Sequence, residues 1–81
     1  MNAERFTLDT NVLVYAIDRR DAVKHEAAKR MIPQAAKRDC VLTIQALSEF
    51  YVVASRKRMM PISDAAAQVR DWLEIFPTAA A

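Results

Sequence analysis

Apolar positions along this chain change their spacing several times, and each change marks an element. Arg5-Phe6-Thr7-Leu8 reads as a short strand with aromatic and β-branched character. After Asp9, the run Val12-Leu13-Val14-Tyr15-Ala16-Ile17 is apolar on nearly every side, which predicts a buried helix capped by Thr10 or Asn11. Asp18-Arg19-Arg20-Asp21 is a polar break. From Ala22 to about Lys37, the residues Val23, Ala27, Met31 and Ala35 recur every four positions, with Ala28, Ile32 and Ala36 widening the stripe. That spacing predicts a second helix. Pro33 falls inside it and predicts a kink near Met31-Ile32 or a division into two helices.

Cys40-Val41-Leu42-Thr43-Ile44 is a continuous apolar run and predicts a buried strand of a parallel sheet. A third helix is expected from about Gln45 to Lys57, with Leu47, Phe50, Tyr51 and Ala54 on its apolar face. Pro61 marks a turn, and Ser63 predicts the cap of a fourth helix running to about Phe76, with Asp64 in its first turn. Pro77 ends that helix, and no further strand is read in Thr78–Ala81. The order β-α-α-β-α-α is the start of an α/β fold with a parallel sheet. Two strands do not make a stable sheet. The pattern therefore predicts one domain over residues 1–81, incomplete at its C-terminus. No internal repeat is present.

Composition narrows the classes. With 81 residues, 53% hydrophobic and 27% charged, the chain suits one small globular domain rather than a disordered segment. It contains no glycine, which excludes Walker A loops and dinucleotide-binding fingerprints. A single cysteine, Cys40, excludes an internal disulfide and predicts a buried reduced thiol. The N-terminal MNAERFTLD has no apolar leader core, and no apolar stretch is long enough for a bilayer. These features predict a cytoplasmic protein without a membrane segment. The net charge is only +2, but it is uneven. Seven bases against two acids lie between Arg19 and Arg38, and Arg56-Lys57-Arg58 forms a second run. Such runs are either solvated helix faces or contacts for nucleic acid.

Two acids hold special places. Asp9 follows the first expected strand directly, and Glu49 lies about one turn into the helix after the second. In a parallel sheet both fall at the carboxyl ends of the strands, where ligand sites of open α/β folds form. Carboxylates there suit a hard divalent cation, since Mg²⁺ takes one or two of them and keeps several waters. Asp9 is equally suited to cap a helix. Glu49 is placed among Ala46, Val52 and Val53, yet it is also free to face solvent or to pair with Arg56. Asp18 and Asp21 are expected in a polar loop, Asp71 and Glu74 on an exposed helix face, and His25 on the solvent side of the second helix. Trp72 and Phe76 fit the core spacing.

The segment Phe6-Thr7-Leu8-Asp9-Thr10-Asn11-Val12-Leu13-Val14-Tyr15-Ala16 resembles the opening of PIN domains, in which a strand leads into Asp-Thr/Ser-Asn and an apolar helix. Leu42-Thr43-Ile44-Gln45-Ala46-Leu47-Ser48-Glu49-Phe50-Tyr51 is similar to the family's second strand and third helix. The stretch from Asp21 to Ile32 and the Pro61-Ile62-Ser63 turn fit as well. The resemblance implies a PIN-like three-layer fold with a central parallel sheet, only its N-terminal β-α-α-β-α-α portion being present. It implies Asp9 and Glu49 as catalytic metal ligands for Mg²⁺ or Mn²⁺, with Asn11 and Thr10 in support. The implied reaction is hydrolysis of RNA phosphodiesters by a metal-activated water, in a toxin ribonuclease of the VapC type. Its implied partners are RNA, an antitoxin protein and a second copy of the chain. Arg56, Lys57 and Arg58 would then contact phosphates. Family members carry further acids in their C-terminal part, and no residue here matches those positions. A non-catalytic PIN remnant or self-associating module is the competing expectation. A phosphatase of the haloacid-dehalogenase kind fits poorly, because Asn11 stands where its second Asp is required. So does a flavodoxin-like binding module, because no phosphate loop is present. Trp72, Leu73 and Phe76 are expected to need a partner surface, which predicts a dimer or a loosely packed monomer.

Overall fold

The computed structural model describes residues 5–80, so Met1–Glu4, part of the stretch read as lacking a leader, and Ala81 lie outside the description. The elements are β1 (Phe6–Thr7), α1 (Thr10–Tyr15), α2 (Ala22–Ala36), β2 (Cys40–Thr43), α3 (Ile44–Arg56), α4 (Ile62–Ile75) and β3 (Thr78–Ala79). The fold is α/β, with four helices and a parallel sheet in the order β1-β2-β3. β2 is central, pairing Phe6 with Cys40 on one side and Leu42 with Thr78 on the other. The third strand corrects the expectation that the chain supplies only two. Thr78-Ala79 is too short to show a period, and its place is fixed by the Leu42 N–H donating to the Pro77 carbonyl at 3.0 Å. No helix among the described residues is long and apolar enough to cross a membrane.

β2 reads as it was expected to, with Cys40, Val41 and Leu42 all buried. Burial pushes the Cys40 thiol pKa up, and the neighbouring Asp39 adds to that shift. The strand ends one residue early. Thr43 turns into the cap of α3, its hydroxyl accepting from the Ala46 N–H at 3.0 Å, which leaves Ile44 exposed at the helix start. α3 buries Ala46, Leu47, Phe50 and Ala54. Phe50 meets Trp72 of α4 edge to face, with ring centroids 4.8 Å apart and planes at 69°. That geometry suits the aromatic quadrupoles and adds to the area both rings bury. Trp72 and Phe76 are therefore satisfied within the chain, contrary to the expectation that both await a partner. Of that trio only Leu73 is exposed, at 45%.

Five other local readings need correction. α1 is not buried all round: Leu13 is fully buried, while Val12, Val14 and Tyr15 are only partly covered. α2 runs as one helix through Pro33, so the division into two helices does not occur. Its buried face keeps Ala28 and Ala35 of the expected stripe, but Val23 and Met31 are 79% and 44% exposed, and His25 is buried in addition. His25 extends that face toward α1. Its ring is buried rather than solvent-facing, with Nδ1 2.8 Å from the Tyr15 carbonyl oxygen near the end of α1. Ser63 lies inside α4 rather than capping it, because Pro61 supplies the extended backbone at the cap position.

Without glycine, α3 ends on an arginine in the left-handed region. Arg58 has φ 53°, its N–H donates to Ser55 O at 3.2 Å, and the Met59 N–H donates to Ala54 O at 2.9 Å. This paired arrangement closes the helix as a Schellman motif, at the position where glycine is usual. Asp21 caps α2 by accepting from the Lys24 N–H at 3.1 Å.

Candidate metal-binding carboxylate site

Sheet order brings the two special acids together. β1 and β2 are parallel neighbours, so α1 and α3 leave from the same edge and pack side by side. Asp9 stands at the cap position of α1 with extended backbone (φ −68°, ψ 149°). Its carbonyl accepts from the Val12 N–H at 3.0 Å, but its carboxylate makes no capping bond. A side chain usually accepts from the first turn at this position. The Asp9 carboxylate thus remains available to a ligand.

Glu49 is held from two sides. Thr10 Oγ1 donates to Glu49 Oε1 at 2.9 Å across the gap between α1 and α3. One helical turn back, Gln45 Nε2 donates to Glu49 Oε2 at 3.4 Å. Glu49 is exposed rather than set among apolar groups, and among the described residues it forms no ion pair with Arg56. Asp9, Thr10, Asn11, Ser48, Glu49, Val52 and Val53 line one open concavity. Every polar side chain there offers a hard oxygen atom, which is the donor type that Mg²⁺ and Mn²⁺ take.

The expected support is distributed differently from the resemblance. Asn11 is at the rim, exposed, and makes no side-chain hydrogen bond among the described residues. Thr10 supplies the link instead, to the second acid rather than the first. Gln45 and Ser48 were not foreseen. Gln45 was detectable as the amide four positions before Glu49 on one helix face, a spacing at which side chains meet. Among the described residues, no group of three or more His, Cys, Asp or Glu forms a metal-binding cluster. Asp64, Asp71 and Glu74 lie on α4 and line no part of the concavity. Arg56, Lys57 and Arg58 end α3 and also stand outside it.

The donor set is thus two carboxylates with one hydroxyl-braced member. It fits a hexahydrated-type cation that exchanges a minority of its waters for protein oxygens. No curated protein and no solved structure gives a significant match to the chain. Residues 6–79 match the PIN domain, and the chain belongs to the PIN domain family.

Proposed function

We propose that this chain carries part of the active site of a metal-dependent ribonuclease, the toxin of a toxin–antitoxin pair, with Asp9 and Glu49 as its ligands for Mg²⁺ or Mn²⁺. PIN domains are a nuclease family and generally bind divalent metals. The observation that carries the reading is the Thr10–Glu49 hydrogen bond, which joins α1 to α3 beside an uncapped Asp9. When bound, a divalent ion polarises a phosphodiester and lowers the pKa of a water. The chain's own residues provide the frame. Thr10 and Gln45 each occupy one oxygen of Glu49 and hold its carboxylate facing the concavity. Asp9, free of its helix, supplies the second negative charge. Partners of this reading are RNA, an antitoxin protein and a second copy of the chain.

The test is cleavage of a labelled single-stranded RNA in Mn²⁺, with and without chelator, by the protein that carries this chain with the rest of its active site. Wild type cleaves, and Asp9→Asn and Glu49→Gln each lower the rate by about 100-fold or more, as the loss of an activating ligand requires. Cleavage that persists in both variants at the wild-type rate removes the assignment. A second reading, a non-catalytic self-associating module, is favoured by one observation: no third His, Cys, Asp or Glu side chain joins the pair among the described residues. Calorimetric titration separates the two, because that module takes up no Mn²⁺ at the concavity.

A further inference from the structure

A second concavity, of about 550 Å³, opens where α1 and α3 end. Four cations border it: Arg19 and Arg20 after α1, and Lys57 and Arg58 after α3. The start of the first basic run and the end of the second, far apart in sequence, thus meet at one place. One acid, Asp18, lies among them, so the cleft carries three positive charges in excess. Asp18 is already committed to Arg20, whose Nε and Nη2 each donate to a carboxylate oxygen at 2.9 Å. Arg19, Lys57 and Arg58 form no ion pair among the described residues. Unpaired cations held together in a concave wall focus a positive potential and attract anions.

The cleft is also built on fixed backbone. Arg58 occupies the left-handed turn that closes α3, pinned by the bonds to Ser55 and Ala54 on either side of it. Arg20 is locked to Asp18 through its backbone N–H as well, at 3.1 Å. The walls therefore present their charges from set positions rather than from a flexible tail.

Its place relative to the carboxylates sets what it holds. Thr10 and Glu49 meet at one end of the α1–α3 pair, and Ile17 and Lys57 line one cleft at the other, so the helices run in the same direction. From Glu49 to Lys57 the helix advances about 12 Å at 1.5 Å per residue. One extended strand of nucleic acid bridges that distance with a short run of nucleotides.

We infer that this cleft binds the phosphate backbone of an RNA strand and anchors it while another part of the strand lies at Asp9 and Glu49. The inference deepens the ribonuclease reading and rests on it for the identity of the polyanion. The anchoring groups are the guanidinium planes of Arg19 and Arg58 and the ammonium of Lys57. Arginine pairs with phosphate oxygens through two parallel N–H donors, and lysine adds a point charge.

The experiment is fluorescence anisotropy of a labelled single-stranded 12-nucleotide RNA in chelator, where no metal-dependent cleavage proceeds, over a series of salt concentrations. The variant Arg19→Gln/Lys57→Gln binds about 10-fold or more weakly at low salt. It also flattens the slope of log K against log salt by about 1.4, since each lost phosphate contact on a single strand accounts for about 0.7. Arg19→Lys/Lys57→Arg keeps both charges and retains binding. Arg30→Gln/Lys37→Gln removes two exposed cations, one on α2 and one just after it, that lie outside the cleft, and leaves binding within twofold of wild type. Equal losses in the cleft and α2 variants, or no RNA binding by wild type, overturn the inference. Displacement of the RNA by millimolar inorganic phosphate at constant ionic strength overturns it as well, and assigns the cleft to a small phosphorylated ligand. Cleavage in Mn²⁺, measured on the same proteins, keeps the two readings apart. RNA held through the cleft but never cut sinks the ribonuclease and leaves the anchor. RNA cut normally while binding ignores the cleft residues sinks the anchor alone.

Discussion

Thr10 and Glu49 lie 39 positions apart in sequence, and their side chains share a hydrogen bond of 2.9 Å that closes α1 onto α3. The bond places the hydroxyl of one motif on the carboxylate of the other, so neither motif forms the site alone. Removing the hydroxyl while keeping the shape isolates its part. Thr10→Val is expected to lower Mn²⁺ affinity by about 10-fold or more, the usual cost of losing a group that orients a metal ligand. Its effect on folding is small, about 1 kcal/mol or less, because the bond is exposed. Thr10→Ser restores the affinity. Calorimetric titration with Mn²⁺ and a urea melt of the same sample read both quantities, and an unchanged Mn²⁺ affinity in Thr10→Val would mean that Glu49 needs no brace.

His25 buries a ring nitrogen against the Tyr15 carbonyl at 2.8 Å and so fastens α2 to the end of α1. His25→Leu keeps the volume and removes the partner. The stranded carbonyl costs about 1–3 kcal/mol. For a domain of this size each kcal/mol moves the melting temperature by about 4–8 °C, so a fall of at least about 4 °C is expected. A melt identical to wild type would show that the bond adds nothing.

Asp18 gives the fold an acid-sensitive element. The side-chain and backbone donors of Arg20 hold its carboxyl at about 2, below its ordinary 3.8. A proton therefore binds the unfolded chain more readily than the folded one. The stability it contributes is essentially complete above about pH 5 and is lost progressively as the pH falls through 3.8 toward 2. Asp18→Asn removes that contribution, so its urea midpoint declines less than wild type between pH 5 and pH 2.5. Parallel declines in the two proteins would show that the Arg20 pair has no influence on acid unfolding.

Arg58 stands at φ 53°, where a side chain crowds the following carbonyl by about 1–2 kcal/mol. Arg58→Gly relieves the crowding and gives back part of the gain to the greater freedom of the unfolded chain. A rise of a few degrees in melting temperature is expected, and Arg58→Val, with a branched side chain in the same turn, melts lower than wild type. Scanning calorimetry of the three proteins decides it, and a glycine variant that melts below wild type would mean that the arginine side chain stabilises the turn by other contacts.

The parts of this fold carried by dense local signals were legible before the structure. Cys40-Val41-Leu42 is a buried strand because a short unbroken apolar run following the charged Lys37-Arg38-Asp39 has few other uses. Phe50 and Trp72 repeat at helical spacing, and they meet in the core. The membership of the chain in its family followed from two separated motifs whose order and spacing agree. Signals that depend on partners were not legible. The α2 stripe was right at Ala28 and Ala35 and wrong at Val23 and Met31, because alanines surround the helix and their spacing barely distinguishes one face from the next. His25 extends the face by finding the Tyr15 carbonyl, a tertiary event with no local trace. β3 was missed because a two-residue strand is defined by its neighbour. Caps were half visible: Thr43 and Asp21 are ordinary capping residues, but an apolar run masked the first and a charged loop the second. Of the site, the two acids were named from their positions, whereas Thr10 as the bridge to Glu49 and the convergence of Arg19 with Lys57 both required the packing of α1 on α3.

The turn that ends α3 makes one residue answer to two opposed demands. Backbone geometry at position 58 rewards the absence of a side chain, while the cleft gains a cation from its presence. A lineage selected only for heat resistance would drift to glycine there and weaken its own grip on anions. With arginine at this position, the ease of the turn and the charge of the cleft are set against each other in a single residue.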